Sequence, residues 1–457
     1  RTLKLDPAAP IIATVERIEH FTDGDFLAIA PGRSGKSSIL GNDERIVLQA
    51  LARPATRSEL DQRIADLGFE TGDPEHLDEI VERLETAGLV TSVADVGAAA
   101  GATSRRAARS PVTVSWITAG MRRELLSQSI VAAKRIGFDG HGGLDPGSSF
   151  VVFDDSPEQR ARHALAEMEV PIQYVGVEET RKLAALLTPT LDADEQRAAW
   201  AALATTGVHT DITTGANRNR WLLSIAGKTA ISQDDDALLP YMRDRSIPFA
   251  GGVNSAPVLS SRHDPSRQSF FQDRNALEER LEKLDFGLSE LVNSLDALGH
   301  HNIDYSKMGP DAARAATSGE LRVVAASAGI VGDSGMSRAH LPLFLSEPDR
   351  SRLWEESPHN AGSFLTNRLL SRHVGETTLS TGRHFMAPQF AVDASAVLPP
   401  FPAMGRNEDG VFRVAMSLLH PCGLVAHLPF AVFHEPKSDI APLPAPSQPF
   451  GPRISDY

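Results

Sequence analysis

Three adjacent carboxylates could hold a metal ion. Asp234, Asp235 and Asp236 follow the apolar segment TAIS, which can end a strand. Placing three negative charges side by side is costly unless solvent or a cation compensates their repulsion. Mg²⁺ and Mn²⁺ typically take one or two carboxylates and complete their shell with water and substrate phosphate. The cluster therefore predicts a divalent metal that binds a nucleotide diphosphate, and a solvated acidic turn is the alternative.

The segment before the carboxylates, GANRNRWLLSIAGKTAISQDDD, places Gly215, Arg218 and Asn219 ahead of a helix that leads into their strand. In this arrangement the sequence resembles the GT-A fold glycosyltransferases, especially family 2, in which a Gly/Arg/Asn helix precedes a D-x-D metal motif. That motif maps onto Asp234 and Asp236. The resemblance implies Mn²⁺ or Mg²⁺ as cofactor and a nucleotide-diphosphate sugar, in the first place a UDP-sugar, as donor.

Two upstream segments resemble the strands that form the nucleotide pocket of this family. VTVSWITAGMRREL looks like the strand that opens the pocket, and FVVFDDSPE looks like the second strand, whose terminal acid contacts the base. Asp155 matches that acid better than Asp154 does. The resemblance implies a set of nucleotide-sugar-binding residues that consists of Thr118, Arg122, Asp154, Asp155, Arg218, Asn219, Asp234 and Asp235.

A second acidic element, GRNEDGVF, is similar to the x-E-D element of the same fold. Transfer of a sugar to a hydroxyl passes through an oxocarbenium-like transition state and needs a general base to take the acceptor proton. The resemblance implies Asp409 as this base, with inversion at the sugar, and Glu408 as the residue that orients the acceptor or supports the site. The alternative is a polar turn that opens a helix.

The last element of the resemblance is CGLVAHLPFAVFHEP, which ends in His434. In GT-A enzymes a histidine at this place often completes the metal shell, and neutral imidazole is a suitable ligand for Mn²⁺. The implied metal ligands are thus Asp234, Asp236 and His434, with His434 favoured over His427. The four elements occur in the expected order over about 111–436.

The front of the chain predicts a small separate module. Residues 26–90 contain a hairpin, FLAIAPGRSGKSSILG, and three helical segments, with Asp43 and Thr56 as N-caps, Glu59 completing a capping box and Gly88 at a helix end. This region resembles PqqD-like winged-helix modules, which often bind the leader of a ribosomally made peptide by strand addition. A purely structural domain is the alternative, and DNA binding is disfavoured by acids such as Asp61 and Glu75.

The remaining chain predicts an α/β domain after a linker. GAAAGATSRRAARSP has the composition of an exposed linker, and alternating strands and helices follow it, as in a parallel sheet covered by helices. The predicted fold is α/β of GT-A type, Rossmann-like and mostly parallel with helices on both faces, preceded by a winged-helix/PqqD-like domain. The predicted boundaries are 1–95 for the module, 96–110 for the linker, 111–436 for the glycosyltransferase domain with a helical insertion at about 240–320, and 437–457 for a proline-rich tail.

Leucines between 273 and 299 repeat with spacings of four and three. The pattern predicts one helix, either an amphipathic helix that faces the core or the seam of a homodimer.

Composition restricts the partners. Forty-five Lys and Arg against fifty-nine Asp and Glu give a net charge of −14, which argues against a nucleic-acid partner. The single cysteine, Cys422, excludes an intramolecular disulfide and fits the cytoplasm, and no apolar stretch predicts a membrane helix. The predicted function is a metal-dependent glycosyltransferase that acts on a peptide or natural-product acceptor. A catalytically degenerate scaffold protein and a nucleotidyltransferase are the alternatives.

Overall fold

The computed structural model describes the greater part of the chain. The described residues are 8–15, 17–22, 25–29, 37–69, 74–103, 111–118, 123–138, 144–145, 147–156, 160–166, 168, 172–203, 214–249, 256–261, 265–271, 273–299, 303–319, 321–334, 351, 369–382, 385, 388–403 and 407–435. Arg122 and the predicted proline-rich tail lie outside these residues.

The front of the chain folds into three strands, three helices and a short two-stranded sheet. Its elements are β1 (Ile11–Ala13), β2 (Arg17–Thr22), β3 (Asp25–Ile29), β4 (Ser37–Leu40), α1 (Asn42–Ala50), α2 (Arg57–Asp66), α3 (Pro74–Thr86) and β5 (Val90–Ser92). The hairpin β3–β4 and the three helices are confirmed, and β2 adds an unpredicted third antiparallel strand. The capping box of Thr56 and Glu59 is also confirmed. Asp43 is not an N-cap, because Gly41 occupies that position in α1.

The elements of the larger part of the chain follow in sequence. They are α4 (Val93–Thr103), β6 (Val112–Thr118), α5 (Arg123–Phe138), β7 (Ser149–Asp154), α6 (Arg160–Ala166), β8 (Gln173–Val175), α7 (Val177–Leu187), α8 (Ala193–Leu203), α9 (Thr214–Ser224), β9 (Thr229–Asp234), β10 (Ala237–Asp244), β11 (Val258–Ser260), β12 (Arg267–Phe270), α10 (Arg274–Arg280), β13 (Leu281–Lys283), α11 (Leu288–Asn293), a 3₁₀ helix (Ser294–Gly299), α12 (Pro310–Thr317), β14 (Arg322–Asp333), β15 (Leu369–His373), β16 (Thr378–Ser380), β17 (Gln389–Asp393), α13 (Glu408–Leu419) and β18 (Gly423–His434).

The predicted linker 96–110 is wrong over its first part, because α4 is a packed helix. Val96 and Ala100 lie one helical turn apart and are buried in the core of the larger part of the chain. Gly97 approaches the ring of Tyr305, from which a Cβ atom would lie 3.4 Å away. The small residues of α4 thus allow close packing against Tyr305 and α12.

One large sheet organises the described part of the chain beyond α4. Its strand order is β11-β16-β18-β14-β17-β9-β6-β7-β8. Six of these strands, β8, β7, β6, β9, β14 and β18, run in the same direction, and β17 runs against its neighbours β9 and β14. Four further strands, β10, β12, β13 and β15, join this 13-stranded sheet through antiparallel pairs, so the sheet is mixed. The predicted α/β fold is confirmed at this coarse level.

Helices cover both faces of the sheet. Along β6 and β7, Trp116 and Val152 pack into a core with α5, α11 and α12, whereas Ile117 and Phe153 pack into a second core with α9 and α13. This alternation follows from the two-residue period of a strand, which sends neighbouring side chains to opposite faces. Both faces are therefore apolar, as expected for strands in the middle of a parallel sheet.

The stretch 240–320 is not a purely helical insertion, because it contains strands β11, β12 and β13 as well as helices. The single helix predicted over 273–299 is also wrong. After Arg280 the chain turns into β13, which pairs with β10, and Gly287 begins a new helix. Most of the repeating leucines, Leu277, Leu288, Leu291, Leu295 and Leu298, are buried in the chain's own cores. The seam predicted for a homodimer is therefore not formed by this segment.

Among the described helices, none combines the length and the apolar character needed to span a bilayer.

Candidate active site

The candidate site lies at the carboxyl edge of the parallel strands. From β6 the chain adds β7 and β8 on one side, and then β9 returns to the other side of β6. In open α/β sheets such a reversal of strand order leaves a crevice at the carboxyl ends of the strands, where ligands bind. Thr118 ends β6 and Asp234 ends β9 at this point, and Ile117 is paired with Asp234 in the register.

Each of the three adjacent carboxylates is held by a different element. An Arg218 Nη atom from α9 donates to Asp234 over 2.7 Å, and Thr118 Oγ1 from β6 donates to Asp235 over 2.5 Å. The Nε2 atom of His434, at the end of β18, lies 3.1 Å from Asp236. The turn 234–236 is therefore restrained from three directions.

The backbone brings His434 beside this turn. Strand β10 begins directly after Asp236 and pairs antiparallel with β18, so that Ala237 lies opposite His434. His434 Nδ1 bonds the carbonyl oxygen of Asp333 over 2.6 Å. Since a carbonyl only accepts hydrogen bonds, Nδ1 carries a proton. Nε2 holds the Asp236 carboxylate only when it also carries a proton, and a metal ion bound to Nε2 would take the place of that proton.

Close approach of β14 to β18 depends on Gly332, which lies opposite His434 in the register. Its φ is +110°, and a Cβ atom at this position would lie 2.2 Å from the carbonyl oxygen of His434. Only glycine suits both the positive φ and the missing space. Gly332 therefore allows the end of β18 to lie close to β14.

The three predicted metal ligands are brought together. One ligand atom each of Asp234, Asp236 and His434 lies within 4.8 Å of the others. Two carboxylate oxygens and an imidazole nitrogen suit Mn²⁺, and the carboxylates suit Mg²⁺. The geometry of the triad thus agrees with the sequence, and binding of a metal stays a prediction.

Arg218 connects the carboxylate turn to the second acidic element. It is almost fully buried, and its second Nη atom donates to Glu408 over 3.0 Å. Its guanidinium lies over the rings of Phe390 and Phe401, at 5.8 and 5.5 Å from the ring centroids. The sequence predicts Arg218 as a nucleotide-sugar ligand, but both of its terminal nitrogens bind protein carboxylates.

Glu408 and Asp409 lie in the first turn of α13, which Asn407 begins with a φ of 68°. Burial raises the pKa of Glu408 to about 7, although Arg218 lowers it, and the negative charge of Asp409 raises it further. Burial and Asp409 also raise the pKa of Asp234, whereas Arg218 and His434 lower it. The two acidic elements therefore share one electrostatic environment.

Three of the predicted nucleotide-binding residues have structural roles. Asp154 accepts hydrogen bonds from the backbone of Ser156 and Ala161 and from the hydroxyl of Tyr174, over 2.8 to 3.0 Å. Asp155 is buried and forms an ion pair with Arg220 over 3.2 Å. These contacts hold both acids inside the protein.

Asn219, the third of these residues, is directed away from the carboxylate turn. Its side chain donates to the carbonyl oxygens of Ala202 and Phe401 and accepts from the amide of Phe401. It therefore joins α8 and the segment before α13 to helix α9.

The sequence did not indicate the roles of Asn217, Arg220 and Gln233. Asn217 donates to the carbonyl oxygens of Thr118 and Phe153 and so joins the ends of β6 and β7 to α9.

Gly215 allows α9 to begin close to Pro402, because a Cβ atom at this position would lie 1.7 Å from the carbonyl oxygen of Pro402. The signal that could have revealed Gln233 is a polar amide at the end of an otherwise apolar strand.

Comparisons with protein-family models, with curated proteins and with solved structures give no match to this chain.

Proposed function

We propose that the chain is a metal-dependent glycosyltransferase of GT-A type that moves a sugar from a nucleotide-diphosphate sugar to a peptide or natural-product acceptor. The observation that carries the proposal is the meeting of Asp234, Asp236 and His434 at the point where the strand order reverses. This is the place where an α/β sheet binds nucleotides, and the donor set suits Mn²⁺.

The residues around the triad support particular roles in the transfer. Asp234, Asp236 and His434 would hold the metal, which offsets negative charge on the leaving diphosphate. Thr118 holds Asp235 beside them. Arg218 keeps Asp234 and Glu408 in one arrangement and compensates their charge.

Asp409 is the proposed general base. It follows Glu408 in the first turn of α13, and its charge acts on both Asp234 and Glu408. Glu408 accepts a hydrogen bond from the buried Arg218, which suits it to support the site, and we assign Asp409 to accept the proton of an incoming hydroxyl. Inversion requires that the hydroxyl attack the face of the sugar opposite the leaving diphosphate while Asp409 takes its proton.

The front module supports a peptide as acceptor. Within its described residues β4 pairs only with β3, so the outer edge of β4 offers backbone groups to an added strand. Ile39 on β4 is 63% exposed. Helix α3, whose sequence is PEHLDEIVERLET, carries more acids than bases, which favours a peptide over nucleic acid.

A screen of nucleotide sugars with Mn²⁺ tests the proposal, with release of a nucleoside diphosphate as the readout. We expect one donor to be consumed, EDTA to abolish the reaction and Mn²⁺ to restore it. Full activity in EDTA contradicts the metal centre. Release of pyrophosphate from a triphosphate identifies a nucleotidyltransferase instead, and the lack of any metal-dependent donor affinity identifies a scaffold protein.

The base is tested by Asp409→Asn. Loss of a general base typically slows a reaction by about 10²- to 10⁴-fold, and we expect such a loss with unchanged donor affinity. The control is Asp311→Asn on α12, where the carboxylate is 71% exposed. A full transfer rate for Asp409→Asn refutes this assignment.

A further inference from the structure

A chain of buried polar side chains lies beneath the carboxylate turn. Its members are Trp116 of β6, Ser129 of α5, Gln233 of β9 and Gln389 of β17, each with no exposed surface. Buried amides and hydroxyls cost free energy unless they are hydrogen-bonded, and an apolar core would not need them. Their retention at this place calls for a physical reason.

Gln233 joins the two ends of the turn 234–236. It directly precedes Asp234, and its Nε2 atom donates over 2.7 Å to the carbonyl oxygen of Ala237, which directly follows Asp236. The same Nε2 atom donates over 2.6 Å to Ser129, while its Oε1 atom accepts from Gln389 over 2.7 Å. Both amide hydrogens and the amide oxygen of Gln233 are therefore used.

Ser129 supports the same carbonyl from the neighbouring helix. Its hydroxyl donates to Ala237 over 3.0 Å and accepts from Gln233 and from the indole nitrogen of Trp116, the latter over 2.9 Å. One hydrogen and two lone pairs are all that a serine hydroxyl offers. The group is thus fully satisfied and fixes the position of Ala237 relative to β6, β9 and α5.

We propose that Gln233 and Ser129 are positioning residues that hold the backbone of the carboxylate turn closed, so that Asp234 and Asp236 face His434 before a cation binds. This inference rests on the metal centre of the proposed function. Three adjacent carboxylates repel one another and push the turn open, and Gln233 opposes this by fixing both ends. Groups behind metal ligands commonly change metal affinity by about 10- to 100-fold when they are removed.

Backbone hydrogen bonds also hold the turn at single points, from the amide of Asp234 to Pro388 and from the amide of Glu435 to Asp236, but Gln233 links its two ends to each other. Thr118, Arg218 and His434 each hold one carboxylate side chain. Gln233 instead donates to the backbone carbonyl of Ala237, and so connects the end of β9 to the start of β10. Side-chain restraints orient the carboxylates only if the backbone that carries them is already in place.

The test is Mn²⁺ binding to the full chain by calorimetry, without donor. Gln233→Leu keeps a side chain of similar size and removes every hydrogen bond, and Ser129→Ala removes the support behind it. We expect Gln233→Leu to weaken Mn²⁺ binding by about 10- to 100-fold, and Ser129→Ala to weaken it less, with all three metal ligands intact. Thr180→Val on α7 is the control. It also removes a buried hydroxyl, which bonds Gly176 and Arg220, so it should lower stability and leave Mn²⁺ affinity unchanged.

The outcomes separate the two proposals. If the unaltered chain binds no Mn²⁺, the metal centre is refuted and this inference with it. If the unaltered chain, Gln233→Leu and Ser129→Ala bind Mn²⁺ equally while their melting temperatures differ, the positioning role is refuted and the metal centre stands. Should Gln233→Leu not fold, Ser129→Ala decides, and unchanged Mn²⁺ affinity in that variant overturns the inference.

Discussion

Replacement of Arg218 by methionine should show how the site balances its charges. The guanidinium is 2% exposed and bonds Asp234 over 2.7 Å and Glu408 over 3.0 Å. Methionine retains apolar contact with the nearby Phe390 and Phe401 rings but leaves two carboxylates without their cation. Breaking a buried pair by removal of one partner typically costs about 3 to 5 kcal/mol.

This cost can be converted into a melting temperature. At about 2.1 cal/mol/K per residue, a unit of roughly 325 residues has an unfolding entropy of about 0.7 kcal/mol/K. A loss of about 3 to 5 kcal/mol then lowers the melting temperature by about 4 to 7 °C. We expect this decrease in the melting temperature of Arg218→Met at pH 8 in the presence of a chelator.

Both pH and Mn²⁺ should change the amount of stability that Arg218→Met loses. The pKa of Glu408 in the folded chain, about 7, lies above its ordinary value of 4.5. The folded chain therefore binds this proton more tightly than the unfolded chain, and proton binding stabilises the fold at low pH. This stabilisation is lost as pH rises through 7. Without Arg218 this pKa rises further. Arg218→Met should therefore be least damaging near pH 6 and most damaging near pH 8, and added Mn²⁺ should restore part of the lost stability.

Arg220→Met is the matched control. Arg220 lies on the same helix, is fully buried and forms an ion pair with Asp155 over 3.2 Å. It should lower the melting temperature by a similar amount, but Mn²⁺ should not restore it. A shift under about 2 °C for Arg218→Met, or equal recovery of both variants with Mn²⁺, refutes the reasoning.

Three further outcomes are expected. Gly332→Ala should destabilise the chain and weaken Mn²⁺ binding in calorimetry, because its Cβ atom would lie 2.2 Å from the carbonyl of His434; unchanged affinity would show that β18 tolerates the shift. Ile39→Glu on β4 should reduce transfer to a peptide acceptor while Mn²⁺-dependent donor hydrolysis continues, and equal losses of both reactions would contradict a docking role. Burial lowers the pKa of His373, whose Nε2 atom accepts a hydrogen bond from the amide of Asp244. The neutral ring therefore stabilises the fold above pH 6.5, and this stabilisation should be lost as the pH falls below that value. His373→Gln should flatten this dependence in thermal melts, and an unchanged slope would assign it to other groups.

Local patterns predicted the helices at the front of the chain. Thr56 and Glu59 form a capping box, and the helices end close to where periodicity and Gly88 indicate. These signals depend on residues within one turn of each other, so the sequence contains them in full. The leucine pattern of 273–299 failed because β13 pairs with β10, a contact between distant segments that no local period reveals.

The site was predictable as a set of residue types but not as a set of contacts. Asp234, Asp236 and His434 were identified and lie together. Asp155 and Asn219 were identified too, yet they bond Arg220 and the backbone of Phe401. A polar residue in a motif can bind a ligand or bond another part of the protein. The sequence does not distinguish these two roles, because they differ only in the direction of the side chain in the folded chain.

The distance in sequence between the ligands is explained by the pairing of two strands. Ala237 lies opposite His434, and the amide of Glu435 donates over 3.0 Å to the carbonyl of Asp236, so β10 and β18 meet at the turn itself. Between them in sequence, β14 and β17 are also needed, because they connect β18 to β9 in the sheet. The connections between these strands can vary in length without moving the ligands, whereas a change at Gly332 or Gln233, which hold the two strand ends in place, acts on the ligands directly.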